Sequence, residues 1–91
     1  MSKWSLSFTL EAKNDLERLD KNLQKRVIEK LDWFKDNFDK IIPSVLGGQW
    51  RGFFKIRVGD WRIIYKLDWD ENRIIIYVID KRDKIYKRRR F

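Results

Sequence analysis

The stretch that decides the fold is Phe53-Phe54-Lys55-Ile56-Arg57-Val58-Gly59-Asp60-Trp61-Arg62-Ile63-Ile64-Tyr65-Lys66-Leu67. Two runs of β-type residues flank Gly59-Asp60, and a two-residue loop with Gly first suits a type II′ hairpin turn. Such a loop sets Val58 opposite Trp61, and the register follows by stepping outward. Ile56 then faces Ile63 and Phe54 faces Tyr65 on one side of the ribbon. On the other side Arg57 faces Arg62, Lys55 faces Ile64 and Phe53 faces Lys66. The first side is apolar and has to be covered; the second presents Lys55, Arg57, Arg62 and Lys66 together. Like charges directly opposite one another cost a few tenths of a kcal/mol to about 1 kcal/mol. Arg57 across from Arg62 therefore points to an anion at that place. Lys and Arg on an exposed sheet face are also ordinary solubilising residues, and the pattern alone leaves both readings open.

Working outward, Asp68 to Asn72 makes a longer turn into a third β-type run, Arg73 to Asp80. Upstream lies Gly47-Gly48-Gln49-Trp50-Arg51-Gly52, which reads as a loop. It lacks the Lys-Ser/Thr ending of a phosphate-binding P-loop. At the N-terminus Trp4, Leu6 and Phe8 alternate with Ser5, Ser7 and Thr9, the period of a strand from about Lys3 to Phe8 with one buried face. Thr9 can cap a short helix whose Ala12, Leu16 and Leu19 form one apolar stripe. Asp20 or Asn22 can cap a second helix, where Leu23, Val27, Ile28, Leu31, Phe34 and Phe38 repeat at helical spacing until Pro43 forbids continuation.

The order is β-α-α-β-β-β, which predicts an α+β fold. It consists of an N-terminal strand, a two-helix hairpin and a three-stranded antiparallel meander, with the helices packed on one face of the sheet. The 91 residues make one domain, 1–91, with a basic C-terminal tail at 87–91. With 43% hydrophobic residues, five Trp, six Phe and three Tyr, the chain can bury a core without staples. It has no Cys and no His. Disulfides, thiolate metal sites and His-based acid/base chemistry are thereby excluded, leaving Lys, Arg, Tyr, carboxylates and hydroxyls for any reaction. No apolar run approaches a membrane span and the N-terminus lacks a signal-peptide core, so a cytoplasmic location is expected.

The net charge is +8, from 22 Lys and Arg against 14 Asp and Glu, and suits a polyanion or an acidic protein. Asp15, Glu17, Asp32, Asp36 and Asp39 read as solvated positions on helix surfaces or ends, and no acidic cluster has metal-ligand spacing. Neither a metal nor a cofactor is expected. Trp61 reads as core, and Trp50 and Trp69 as core or as surfaces on which bases stack. Lys87 to Arg90 reads as a solvated tail or as an extension of a phosphate-binding surface.

The run Leu46 to Tyr65, followed by Ile79-Asp80-Lys81-Arg82-Asp83-Lys84-Ile85-Tyr86, resembles the RelE/ParE toxin superfamily. So does Phe8-x-x-x-Ala12-x-x-Asp15-Leu16-x-x-Leu19. Members commonly show K-x-R-x-G-x-[YW]-R-x-x-Y and end with an Arg a few residues before a Tyr, and the similarity spans nearly the whole chain. The resemblance implies two helices against a curved antiparallel sheet. It also implies a ribosome-dependent, metal-independent messenger RNA endonuclease in which the ribose 2′-oxygen attacks the adjacent phosphate. Lys55 would serve as base or electrostatic clamp, Arg57 and Arg62 would hold the scissile phosphate, Arg82 would join them, and Tyr86 would stack on a base. Lys66, Lys81, Lys84 and Lys87 would contact further RNA phosphates. The implied partners are the ribosome with its message and an acidic antitoxin that covers or displaces the C-terminal end. One departure is Phe53, where some RelE enzymes place a second lysine. Two other functions stand beside this one: a ParE-like toxin that acts on DNA gyrase without cutting RNA, and a non-enzymatic basic nucleic-acid-binding module.

Overall fold

The computed structural model describes residues 3–85, 87 and 88. The elements are β1 (Ser5–Phe8), α1 (Leu10–Arg18), α2 (Lys21–Asp36), β2 (Ser44–Val45), β3 (Phe54–Val58), β4 (Trp61–Asp68), β5 (Arg73–Lys81) and α3 (Arg82–Ile85). The expected α+β order is present, with two additions. β2 is a two-residue strand after Pro43, and α3 is a single helical turn. Both are too short to leave a periodic signal in the sequence.

Thr9 caps α1 by accepting the Ala12 N–H, and Asp20 caps α2 by accepting the Leu23 N–H. The second helix stops at Asp36, earlier than Pro43 requires. Asn37 donates its side-chain amide to the Trp33 carbonyl at 2.8 Å, so a side chain takes an acceptor of the last turn. A 3-10 turn at Phe38–Lys40 follows and still delivers Phe38 to the core.

The strand order is β1-β5-β4-β3-β2. The sheet is mixed, because β1 pairs parallel with β5 while β2 to β5 are antiparallel. Between β3 and β4 the register is Phe54–Tyr65, Lys55–Ile64, Ile56–Ile63, Arg57–Arg62 and Val58–Trp61, the one expected from a two-residue turn. Gly59 has φ +59°, and Asp60 is not among the residues with positive φ. That combination is the type II′ pattern.

The main core lies between the helices and one sheet face. Ala12, Leu19, Val27, Leu31 and Phe34 meet Ile56, Val58, Ile63, Tyr65, Ile74, Ile76 and Ile79, with Trp61 packed at the margin. Trp69 is exposed and sets its edge on Trp4 at the far end. The opposite sheet face is not the open basic surface that alternation suggests. A second core of Trp50, Phe53, Ile64, Val78 and Ile85 covers part of it, roofed by the Gly48–Trp50 turn and α3. A β-bulge makes this possible. The pairing shifts between Ile64–Val78 and Tyr65–Ile76, so Tyr77 is the extra residue on β5 and both Tyr77 and Val78 join the second core.

Candidate RNA-binding and catalytic site

The residues proposed from the sequence divide into three groups. Arg57 and Arg62 are cross-strand neighbours on the face away from the long helices, and Lys55 lies two residues from Arg57 on the same side of β3. Arg82 is brought to them by the chain turning at the end of β5. Its backbone N–H donates to the Asp60 carbonyl at 2.8 Å, which fastens the start of α3 to the hairpin turn. Arg57 and Arg82 are exposed and Lys55 is half-buried.

Arg62 differs from expectation. It is only 6% exposed, and its guanidinium donates to the carbonyls of Gly59 and Trp61, each at 3.0 Å. The turn supplies acceptors that the sequence pattern did not reveal, and they fold the side chain back along the hairpin. Arg62 thus braces the loop that carries the site as well as charging it. Asp80 lies directly across from Arg62 on β5, so one carboxylate stands in the same row.

Lys66 is exposed, with its ammonium 4.8 Å from the centre of the Phe53 ring. Lys81 pairs with Trp61 and shares the sheet side of Ile79, so it leans away from the Arg57–Arg62 row. Lys84 is exposed on α3 and Lys87 just beyond it. Tyr86 lies outside the described residues. Tyr65 belongs to the main core, where it packs on Phe34 and Phe54, and burial raises its phenol above the ordinary value.

Two residues read as solvated are structural. Asp15 is 6% exposed and accepts the backbone N–H of Ile79 at 3.0 Å. The β1–β5 pairing ends at Phe8–Ile76, so the edge of β5 beyond it needs other partners. Thr9 donates its hydroxyl to the Tyr77 carbonyl there, and Asp15 takes the next inward-facing N–H. Arg88, expected in a solvated tail or in an extension of a phosphate-binding surface, folds back onto Asp15 at 2.9 Å, Asp80 at 3.2 Å and Glu11. Burial opposes its charge, but the carboxylates of Glu11, Asp15 and Asp80 outweigh that and hold the guanidinium pKa above its ordinary value. A helical wheel places Asp15 beside the apolar stripe, and that was the available hint. Arg26, also missed, brings its guanidinium from α2 to within 3.5 Å of where a β-carbon on Gly59 would sit.

The candidate site is therefore one end of the β3–β4–β5 ribbon, where Arg57 and Arg62 are paired beside a turn to which the backbone of Arg82 is bonded. This arrangement can hold phosphates and stabilise charge that builds on them. The profile of the ParE toxin of the type II toxin–antitoxin system parDE matches residues 6–86. The chain belongs to the ParE toxin family.

Relatives of this ParE-family toxin carry both RelE and ParE names. It is 26% identical to Toxin RelG of Mycobacterium tuberculosis over 93% of this chain and 98% of that protein. Its fold matches the toxin–antitoxin complex RelBE2 of the same organism with TM-score 0.75 at 24% identity, covering 87% of this chain and 98% of that one. The isolated Escherichia coli RelE toxin matches with TM-score 0.70 at 17% identity, covering 92% of each chain. These likenesses establish the RelE/ParE toxin fold and a toxin of a toxin–antitoxin module. Among the described residues no helix is long and apolar enough to cross a membrane.

Proposed function

We propose that this toxin is a ribosome-dependent messenger RNA endonuclease that acts in the cytoplasm and needs no metal or cofactor. The observation that carries the reading is the register that sets Arg57 beside Arg62, with Lys55 along the same strand and the start of α3 tied to Asp60. In this scheme the ribose 2′-oxygen attacks the adjacent phosphorus and the bond to the 5′-oxygen breaks. The products are a cyclic phosphate and a free 5′-hydroxyl. Lys55 takes the proton or clamps the phosphate, while Arg57, Arg62 and Arg82 face the charge that develops on the phosphorane. Fixed cations in a shielded site contribute several kcal/mol to such a step. Tyr86 stacks on a base, and Lys66, Lys84 and Lys87 extend the phosphate contacts. An acidic antitoxin neutralises this end of the molecule; an antitoxin partner is supported by structural relatives solved as toxin–antitoxin complexes.

A second reading is a ParE-like toxin that acts on DNA gyrase. It is favoured by the family profile, by the burial of Phe53 where some RelE enzymes carry lysine, and by the engagement of Arg62 with backbone carbonyls. Inducible expression followed by mapping of message 5′ ends separates the two. The nuclease produces new 5′-hydroxyl ends within translated messages. Growth arrest with intact messages and a DNA-damage response contradicts it.

A further inference from the structure

The C-terminal arginine that folds back onto the body of the protein does more than anchor a tail. Asp80 is directly opposite Arg62, on the sheet face that carries Arg57 and Lys55. A carboxylate in that row would be expected to pair with the arginine beside it and to repel an incoming phosphate. Neither of its oxygens serves Arg62 here. Oδ1 accepts the Lys81 backbone N–H at 2.8 Å, and Oδ2 accepts from Arg88 at 3.2 Å. Arg62 instead spends its hydrogen bonds on the Gly59 and Trp61 carbonyls.

Arg88 can do this because it is held from the other side. The same Nη1 that reaches Asp80 also reaches Asp15, which is itself fixed by the Ile79 N–H, and Nη2 reaches Glu11. The guanidinium is thus lodged between α1 and the end of β5, and its side chain is only 22% exposed.

We infer that Arg88 is a positioning residue that keeps Asp80 occupied, so that this carboxylate does not compete with a phosphate for the Arg57–Arg62 row. The inference rests on the reading of that row as a phosphate site. Without Arg88, Asp80 is a carboxylate without its counter-ion one strand away from Arg62, and it turns to that arginine. The site then loses its anion affinity although every residue of the row is still present.

The test is binding of a single-stranded RNA oligonucleotide over a range of salt concentrations, alongside mapping of message 5′ ends after expression. Arg88→Ala should weaken binding about tenfold and lower the log–log salt slope by about 0.7, the value of one phosphate contact on a single strand. Adding Asp80→Asn should restore both, because the neutral amide cannot quench Arg62. Arg88→Ala with Glu29→Gln has the same net charge as that rescued protein but keeps Asp80, and should stay weak. If Glu29→Gln rescues equally, the effect is overall charge and the inference fails.

Should Arg88→Ala not fold, Asp80→Asn alone decides. Affinity at or above that of the unaltered protein supports the inference, and lost affinity overturns it. An unaltered protein with no affinity for the oligonucleotide at low salt also overturns it. Coupling between positions 80 and 88 in binding, with messages left uncut, would remove the nuclease reading and leave this one standing. Cut messages without that coupling would do the reverse.

Discussion

Asp15 reads in sequence as one more acid on an amphipathic helix, yet it is among the most constrained residues in the molecule. It supplies the acceptor that the unpaired edge of β5 lacks and holds Arg88 against it. Replacing it by alanine strands a buried N–H and removes a partner of a half-buried guanidinium. Asp15→Ala should therefore lower stability by about 1–3 kcal/mol, read as a shifted urea midpoint; an unchanged midpoint would refute this role. The two arginines of the hairpin should part company in the same experiment. Arg57 is exposed, so Arg57→Ala should leave the midpoint in place, whereas Arg62→Ala loses two carbonyl partners and should cost about 1 kcal/mol. Toxicity should fall in both. Residue identity announced the charge of Arg62 but not its burial, because the acceptors that capture it are backbone carbonyls of a turn, and these have no sequence signature.

At the scale of elements, the hairpin register was legible because two facts determine it: a two-residue turn with Gly first, and alternation in the flanking runs. Gly59 has φ +59°, where a β-carbon costs roughly 1–2 kcal/mol. The helix caps at Thr9 and Asp20 were legible for a similar reason, since each is a local side-chain-to-backbone bond. What alternation hid was the bulge at Tyr77, which turns two successive residues of β5 to one face and creates room for a second core. β2 and α3 were hidden by their length. α3 matters most for the proposed function, because Ile85 pins it to the second core while its first residue is Arg82. Ile85→Ala should cost about 2–5 kcal/mol as a buried truncation. It should also reduce activity through Arg82, without touching any residue that binds RNA. Full activity in a folded Ile85→Ala protein would show that α3 need not be docked.

The whole molecule is a sheet with a large core under the helices and a small one on the opposite face, so Lys55, Arg57 and Lys66 share that face with the small core. The net charge of +8 suits an anion or an acidic partner, and the proposed place for it is the Gly59–Asp60 turn, beside which the register sets Arg57 and Arg62 and to which the backbone of Arg82 is tied. Overall charge and fold class were readable from composition and periodicity. The ion network that closes the C-terminal segment over α1 was not, because it joins residues more than seventy positions apart. The most direct measurement is 5′-end mapping of messages after expression of the unaltered toxin and of Arg57→Ala, each checked for an unchanged urea midpoint. A nuclease that relies on Arg57 gives abundant new 5′-hydroxyl ends in translated messages with the unaltered toxin and loses them in the variant. Equal cutting by both, or arrest by the unaltered toxin with every message whole, would contradict this reading.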